Sequence, residues 1–153
     1  MGKNRRRSAF TLIEVLIVVI IMAVLAATII PQFSSSTKDA KESSLKFNLQ
    51  TLRSQIERYK FDHNGTPPTA AGFVDQMTKC TKVDGTDPVA TADATHPYGP
   101  YMQSVPANSF NGQTGVVGCT GVPTAESGPT TNGWQYDAAA GRIYANTTGY
   151  FSL

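Results

Sequence analysis

The feature that most constrains this chain is the apolar segment from Leu12 to Ile30, which holds nineteen residues and a single charged side chain, Glu14. A helix needs about 17–25 such residues to cross the hydrocarbon of a bilayer. A charge inside the membrane costs about 2.5–3.5 kcal/mol on insertion scales, so it is seldom there without a use. The segment therefore predicts a membrane-spanning helix whose carboxylate has a function.

Basic residues cluster just before this segment. Lys3 and the run 5–7 hold four of the thirteen Lys and Arg residues, and the other nine face eleven acidic residues. The positive-inside rule predicts a cytoplasmic N-terminus and a single pass, with the rest of the chain on the far side. No basic patch remains elsewhere, so nucleic acid is not a predicted partner.

Small residues precede the apolar run instead of following it. A secretory signal is cut after its apolar core, at a small-residue site. Here Ser8 and Ala9 stand between the basic cluster and the apolar segment. A cut at this point would remove the charges and leave the hydrophobic helix attached to the protein.

The stretch SAFTLIEVLIVVIIMAVLAATIIPQF resembles the N-terminal signature of type IV pilins and type II secretion pseudopilins. The residues that match at the family's spacing are Phe10, Thr11, Leu12, Glu14 and Pro31. The resemblance implies that a prepilin peptidase cuts between Ala9 and Phe10 and that the new N-terminus is methylated. Ala9 stands where the family usually has glycine, which implies slower processing.

Cleavage before Phe10 would give the Glu14 carboxylate a partner. Cleavage after Ala9 would place an amino group on Phe10, one helical turn before Glu14 and on the same face. Opposite charges in a low dielectric offset each other's desolvation. The resemblance implies that Glu14 pairs with the N-terminal amine of a neighbouring subunit and sets register during filament growth. The alternative is a carboxylate near the membrane edge that reaches water.

Glycine and proline divide the chain into two parts. Between Phe10 and Asn64 there is no glycine and one proline, Pro31, whereas twelve of the thirteen glycines lie from Gly65 onward. This predicts a long helix over residues 10–64 and a turn-rich domain over 65–153. Pro31 should kink or locally melt the helix, and the resemblance gives it a part in assembly.

The second half of the helix is amphipathic. Its apolar residues follow one another at steps of four, three, four and three: Leu45, Leu49, Leu52, Ile56 and Tyr59. This stripe predicts packing onto the downstream domain. A coiled-coil seam has the same spacing, although the run is short for one.

The C-terminal domain gives weaker signals. TPPTAAGFVDQM predicts a turn and a short helix from near Thr69 that buries Phe73 and Met77. The segment from Cys80 to Gly133 has few regular signals and is interpreted as loops. GWQYDAAAGRIYAN predicts a hairpin with its turn at Gly141.

A last strand over 150–153 is expected to complete the sheet. Trp134 and Tyr136 should share one face of the hairpin, with 143–145 as the returning strand. The predicted fold is α+β, with a long N-terminal helix packed on a small domain that contains a short antiparallel sheet.

Two further segments resemble the G-type (major) pseudopilins, in the same order along the chain: TPPTAAGF after the helix and YGPYMQSVPANSFNG later. The resemblance implies a structural subunit of a type II secretion pseudopilus, in the bacterial inner membrane before assembly and with a periplasmic domain. The implied partners are copies of itself in a helical filament, the prepilin peptidase, minor pseudopilins, the inner-membrane secretion platform and lipid. The alternative is a type IV pilus pilin used for adhesion, motility or DNA uptake.

Cys80 and Cys119 are the two cysteines. In an exported domain a disulfide between them is predicted, the alternative being free buried thiols. A metal site formed with His63 and His96 is not expected, because the chain has no CxxC or HxxxH spacing.

No cofactor is predicted, and calcium is the one candidate. The G-type resemblance implies calcium in a C-terminal loop, and Asp84, Asp87 and Asp93 offer oxygen ligands. Their spacing is irregular and the aspartate of the family's turn is missing, which favours solvated loop acids. An enzyme tethered by the same leader is not predicted, because GxSxG and HExxH motifs are absent from the sequence.

Overall fold

The structure is a computed structural model that describes residues 10–153, without the side chains of residues 31–34. It divides into two compact units, the first ending at Ala40 and the second comprising Lys41–Leu153. The elements in chain order are α1 (Leu12–Asp62), α2 (Phe73–Thr78), β1 (Gly115–Gly118), β2 (Asn132–Asp137) and β3 (Arg142–Ala145).

In the first unit the chain is helical from Leu12 onward. The side chains from Leu12 to Ile30 are exposed along the whole segment. By length and composition, α1 is suited to crossing a membrane. The helix continues through position 31, so the local melting predicted at Pro31 does not occur, because proline removes one backbone donor while its neighbours keep theirs.

In the second unit the amphipathic stripe of α1 forms the centre of the core. All five residues of the stripe are at most 1% exposed, which confirms the predicted packing onto the domain. Burial of a large apolar side chain contributes about 1.5–3 kcal/mol, so the stripe is a major source of stability. The core is completed by Phe73, Met77, Val105, Trp134, Tyr136, Ile143 and Ala145.

The predicted end of the long helix is confirmed. Asn64 and Gly65 have φ angles of 54° and 82°, in the left-handed region where glycine is tolerated best. The Gly65 amide donates to the Lys60 carbonyl at 2.7 Å, which satisfies an orphan carbonyl of the last turn. The predicted short helix is also confirmed, although it begins at Phe73 because Thr69 and Gly72 form a turn closed by the Thr69 hydroxyl.

The hairpin is confirmed, but the sheet is mixed. β2 and β3 pair antiparallel, with Trp134 opposite Ala145 and Tyr136 opposite Ile143. β1 lies parallel to β2 on the other side. The prediction of an antiparallel sheet was wrong at this edge, because the short GVVG strand lies within a segment interpreted as loops and pairs through a non-local contact.

The predicted last strand is wrong. Residues 150–153 form a turn in which the Leu153 amide donates to the Tyr150 carbonyl at 3.4 Å. The Tyr150 ring packs against Phe110 with centroids 4.5 Å apart. The side-chain contact holds this segment on the domain in place of strand pairing.

Candidate functional site

Thr11 and Glu14 close the start of α1 with reciprocal hydrogen bonds. The Thr11 amide and hydroxyl both donate to Glu14 Oε2 at 2.8 Å. In return, the Glu14 amide donates to Thr11 Oγ1 at 3.3 Å. This arrangement is a capping box, with Thr11 as N-cap and Glu14 as the third helical residue.

The capping box satisfies donors where water is scarce. A helix leaves its first amides without intrahelical partners, and such groups are costly in lipid. The carboxylate also lies at the end of the helix that carries partial positive charge. The TLIE tetrapeptide contains the threonine-x-x-glutamate signature, so the role of Thr11 was readable from the sequence and was missed.

Two of the predicted assembly residues, Phe10 and Glu14, lie at this end of α1. Phe10 directly precedes the capping box and its side chain is exposed. Ala9 lies outside the described residues, and so does the side chain of Pro31. Cleavage, methylation and the pairing of Glu14 with a neighbour's amine remain predictions.

A second cluster of charges orders the segment 82–97, here called the acidic loop. His96 lies between two carboxylates, with Nδ1 2.8 Å from Asp93 Oδ1 and Nε2 3.3 Å from Asp87 Oδ2. Lys82 Nζ lies 2.8 Å from the same Asp87 oxygen. The hydrogen bond to Asp93, followed by that to Asp87, raises the pKa of His96, because both carboxylates favour the protonated ring.

The carboxylates of the acidic loop are engaged within it. Hydrogen bonds from Thr95, and to a smaller extent from His96, hold the pKa of Asp93 well below its usual range. Asp84 accepts bonds from the amide and hydroxyl of Thr86 at 3.0 and 2.6 Å. Within residues 10–153, no three or more His, Cys, Asp or Glu side chains form a group suited to a metal ion.

His63 lies apart from this cluster, in the core at the end of α1. Its Nδ1 donates to the Tyr59 carbonyl at 2.7 Å, and its Nε2 lies 2.9 Å from the Thr81 hydroxyl. The ring stacks on Tyr59 with centroids 3.8 Å apart. His63 therefore links α1 to the segment after α2, and it belongs to no metal-binding group among the described residues.

The two cysteines are free thiols in the structure, with Cys80 buried and Cys119 partly exposed. Burial, together with the Asp137 carboxylate, raises the pKa of the Cys119 thiol. Gly118, next to Cys119, lies against Ala70, since a Cβ on this glycine would be 3.2 Å from the alanine Cβ.

The structure therefore contains no Cys80–Cys119 bridge, and the disulfide stays a prediction.

Asn146 holds the loop that precedes β2. Its Oδ1 accepts from the Ser127 amide at 2.9 Å and from Gln135 Nε2 at 2.8 Å. Its Nδ2 donates to the carbonyls of Ser127 and Asn132, each at 3.0 Å. The four hydrogen bonds of this one buried amide therefore tie the loop to β2. The sequence did not reveal this role.

Comparison with known proteins identifies the N-terminal region. The prokaryotic N-terminal methylation motif matches residues 4–30. The type II secretion system core protein G of Pseudomonas aeruginosa is 34% identical over 52% of this chain and 56% of its own length. The core protein G of Klebsiella pneumoniae is 26% identical over 85% of this chain and 96% of its own length.

A type IV wide pilus major component of Thermus thermophilus is 32% identical over 59% of this chain and 69% of its own length. The chain spans about half the length of several core protein G relatives that it matches. No solved structure gives a significant match. The chain belongs to the family of type IV pilins and type II secretion pseudopilins, and none of these relatives is named as an enzyme.

Proposed function

We propose that this protein is a structural subunit of a type II secretion pseudopilus. The observation that carries the proposal is the exposure of the apolar segment from Leu12 to Ile30. Near its start the Glu14 carboxylate caps the helix. Such a surface requires lipid before assembly and neighbouring apolar helices after it. The similarity to core protein G of several bacteria supports the secretion system as its setting.

In this function the protein resides in the bacterial inner membrane as a single-pass protein, with a cytoplasmic N-terminus and a periplasmic domain. The basic cluster before the apolar helix supports this orientation. Prepilin peptidase removes residues 1–9, and Phe10 is then methylated. The methylation motif over residues 4–30 supports this maturation.

Assembly proceeds through the N-terminal helix. The Glu14 carboxylate is oriented by Thr11 and pairs with the Phe10 amine of an adjoining copy, which offsets the desolvation of both charges. The alternative, in which Glu14 only reaches water at the membrane edge, predicts no loss of assembly when its charge is removed. The filament also contacts minor pseudopilins and the inner-membrane secretion platform.

A type IV pilus is the second candidate, and the pilus component of Thermus thermophilus is the observation that favours it. Deleting the gene in its own bacterium separates the two. We expect secretion of folded proteins into the medium to stop, while surface motility and DNA uptake continue. Lost motility or DNA uptake with intact secretion would contradict the secretion function and support the pilus.

A further inference from the structure

Two phenylalanines of α1 point away from the core. Phe47 and Phe61 are 68% and 80% exposed, whereas the stripe on the opposite face of the helix is buried. They are four turns apart on one side of the helix, at about 3.6 residues per turn. Single exposed apolar residues are common, so exposure alone does not mark a contact.

Phe61 is distinguished by its fixed neighbours. The Arg58 guanidinium lies 5.7 Å from the centre of its ring. Arg58 Nε lies 3.1 Å from Asp62 Oδ2, which also accepts a 3.1 Å hydrogen bond from the Tyr101 hydroxyl. The Asp62 side chain is 10% exposed, whereas that of Arg58 is 63% exposed. A largely but not fully buried carboxylate therefore holds an exposed cation over an exposed ring.

This Arg58–Phe61 pair has the properties of a binding anchor. Interface residues that dominate affinity are enriched in arginine and aromatic side chains. Side chains that are already ordered lose less entropy when they bind. No comparable cation contact is found at Phe47 within the described residues, so the two phenylalanines form a natural comparison.

Charge is distributed unequally within the second unit. Residues 41–62 of α1 carry five basic and three acidic side chains, whereas residues 63–153 carry three basic and six acidic ones. Three of these six are in the acidic loop, which also contains Lys82 and His96 and remains net acidic, and its Asp87 and Asp93 side chains are more than half exposed. Val83, in the same loop, is an exposed apolar side chain.

We propose that the Arg58–Phe61 pair docks on the acidic loop of a second copy of this chain. This inference rests on the proposed function, because it places the contact between adjoining subunits of a filament. Complementary charge favours the pairing, and Val83 provides apolar surface for the ring. A contact between two different surfaces gives an open helical assembly when its rotation does not close into a ring, and a filament requires such a contact.

A symmetric contact through the same surface is less favourable. Two copies that met through Arg58 and Phe61 would bring Arg58 and Lys60 of one copy close to those of the other. Like charges at an interface are destabilising. Such a contact would also close as a dimer and not extend.

Photo-crosslinking in cells tests the contact with the full chain. A photoreactive phenylalanine analogue is placed at position 61, and in separate strains at Phe47 and at Ile17 in the apolar helix. We expect the probe at 61 to link two copies, with the adduct mapped by mass spectrometry to residues 83–97. The probe at 47 should give at most about a tenth of that adduct, since it lacks the ordered cation.

The controls separate this inference from the proposed function. If Ile17 links copies but position 61 gives no adduct, or an adduct elsewhere or to another protein, the docking contact is wrong and the filament function stands. If neither position links copies and the wild type forms no filaments, the proposed function fails and the docking contact with it.

Substitutions provide a second measurement. Phe61→Ser should lower the assembled fraction about tenfold, whereas Phe47→Ser should lower it less than about twofold. Arg58→Ala should resemble Phe61→Ser. Equal effects of the two serine variants would contradict the assignment.

Discussion

The two halves of α1 are one helix built for two solvents. From Leu12 to Ile30 the helix is apolar on every side and exposed, whereas from Lys41 to Asp62 one apolar stripe is buried and the rest of the surface is mostly polar, apart from Phe47 and Phe61. The second half packs its stripe into the domain, whereas the first half has no such stripe. The periodicity of apolar residues therefore distinguishes the part of the helix that packs on the domain from the part that we propose to pack in lipid and in the filament.

Charges differ between the halves in the same way. Glu14 is the single charge of the apolar half and is held by the capping box. The second half carries surface pairs such as Lys46–Glu42 at 2.7 Å and Lys60–Glu57 at 2.9 Å. Exposed pairs of this kind contribute about 0–1 kcal/mol. The isolated charge should therefore matter for assembly, whereas the surface pairs should contribute little to stability.

The largest expected effect on folding comes from the buried stripe. Leu52→Ala should reduce the free energy of unfolding by about 2–5 kcal/mol, because it leaves a cavity in the core. Leu16→Ala removes the same atoms from the exposed half and should leave the domain's stability within about 0.5 kcal/mol. Thermal unfolding of the full chain in detergent compares the two, and equal losses would contradict the division of the helix.

A smaller effect is expected at Asn146. Asn146→Ala removes an amide that makes four hydrogen bonds and leaves buried partners unpaired, which should cost about 1–3 kcal/mol. Such a loss would show that the Asn146 hydrogen bonds to the loop before β2 stabilise the second unit. Asn111→Ala, at a more exposed amide, is the matched control in the same unfolding assay. An unchanged melting temperature in Asn146→Ala would contradict this role.

The stability of the second unit should depend on pH through His96 and the carboxylates around it. The pKa of His96 is raised, so its contribution to stability is complete below about 6.5 and is lost as the pH rises through the raised value. The pKa values of Asp87 and Asp93 are lowered, so their contribution is present above about 3.9 and is lost as the pH falls through the lowered values.

The melting temperature of the domain should therefore be highest between about pH 4 and 6.5 and decline on the alkaline side. His96→Gln should remove that decline. If the variant and the wild type show the same pH profile, the charge network of the acidic loop does not stabilise the fold.

The smallest effect is expected from the exposed pair on α1. Lys46→Ala should change the free energy of unfolding by less than about 0.5 kcal/mol, because both partners remain solvated. The same unfolding assay measures it. A loss above about 1 kcal/mol would show that the surface charges of this half are more than solvated pairs.

Local patterns made much of this fold predictable. The stripe from Leu45 to Tyr59 repeats at the helical period, and the hairpin around Gly141 has alternating strands joined by a turn. β1 was not predictable, because its four residues pair in parallel with β2 and such pairing depends on contacts distant in sequence. A strand at 150–153 was expected where the Tyr150 ring instead packs on Phe110.

The candidate site was predictable only where its residues are close in sequence. Glu14 stands out because a lone charge in an apolar segment requires a use. Its capping partner Thr11 stands at the spacing of a capping box, but the sequence prediction paired Glu14 with a neighbouring subunit and not with Thr11. The network around His96 joins residues from Lys82 to His96 through a folded loop, so no sequence spacing reveals it.

The charge of Glu14 is expected to serve assembly, beyond its part in starting the helix. Glu14→Gln separates the two roles, because glutamine at this position preserves a capping box while removing the charge. Glu14→Val removes both, and inserts with about 2.5–3.5 kcal/mol less cost. Thr11→Ala weakens the cap by about 1 kcal/mol and keeps the charge.

The decisive measurement is the fraction of each full-length variant recovered in filaments from cells, with membrane insertion measured in parallel. We expect Glu14→Gln and Glu14→Val to insert normally and to lose filaments about equally, by at least about tenfold, while Thr11→Ala retains most of them. Filaments of Glu14→Gln at the wild-type level would contradict the claim and leave Glu14 only its role in capping.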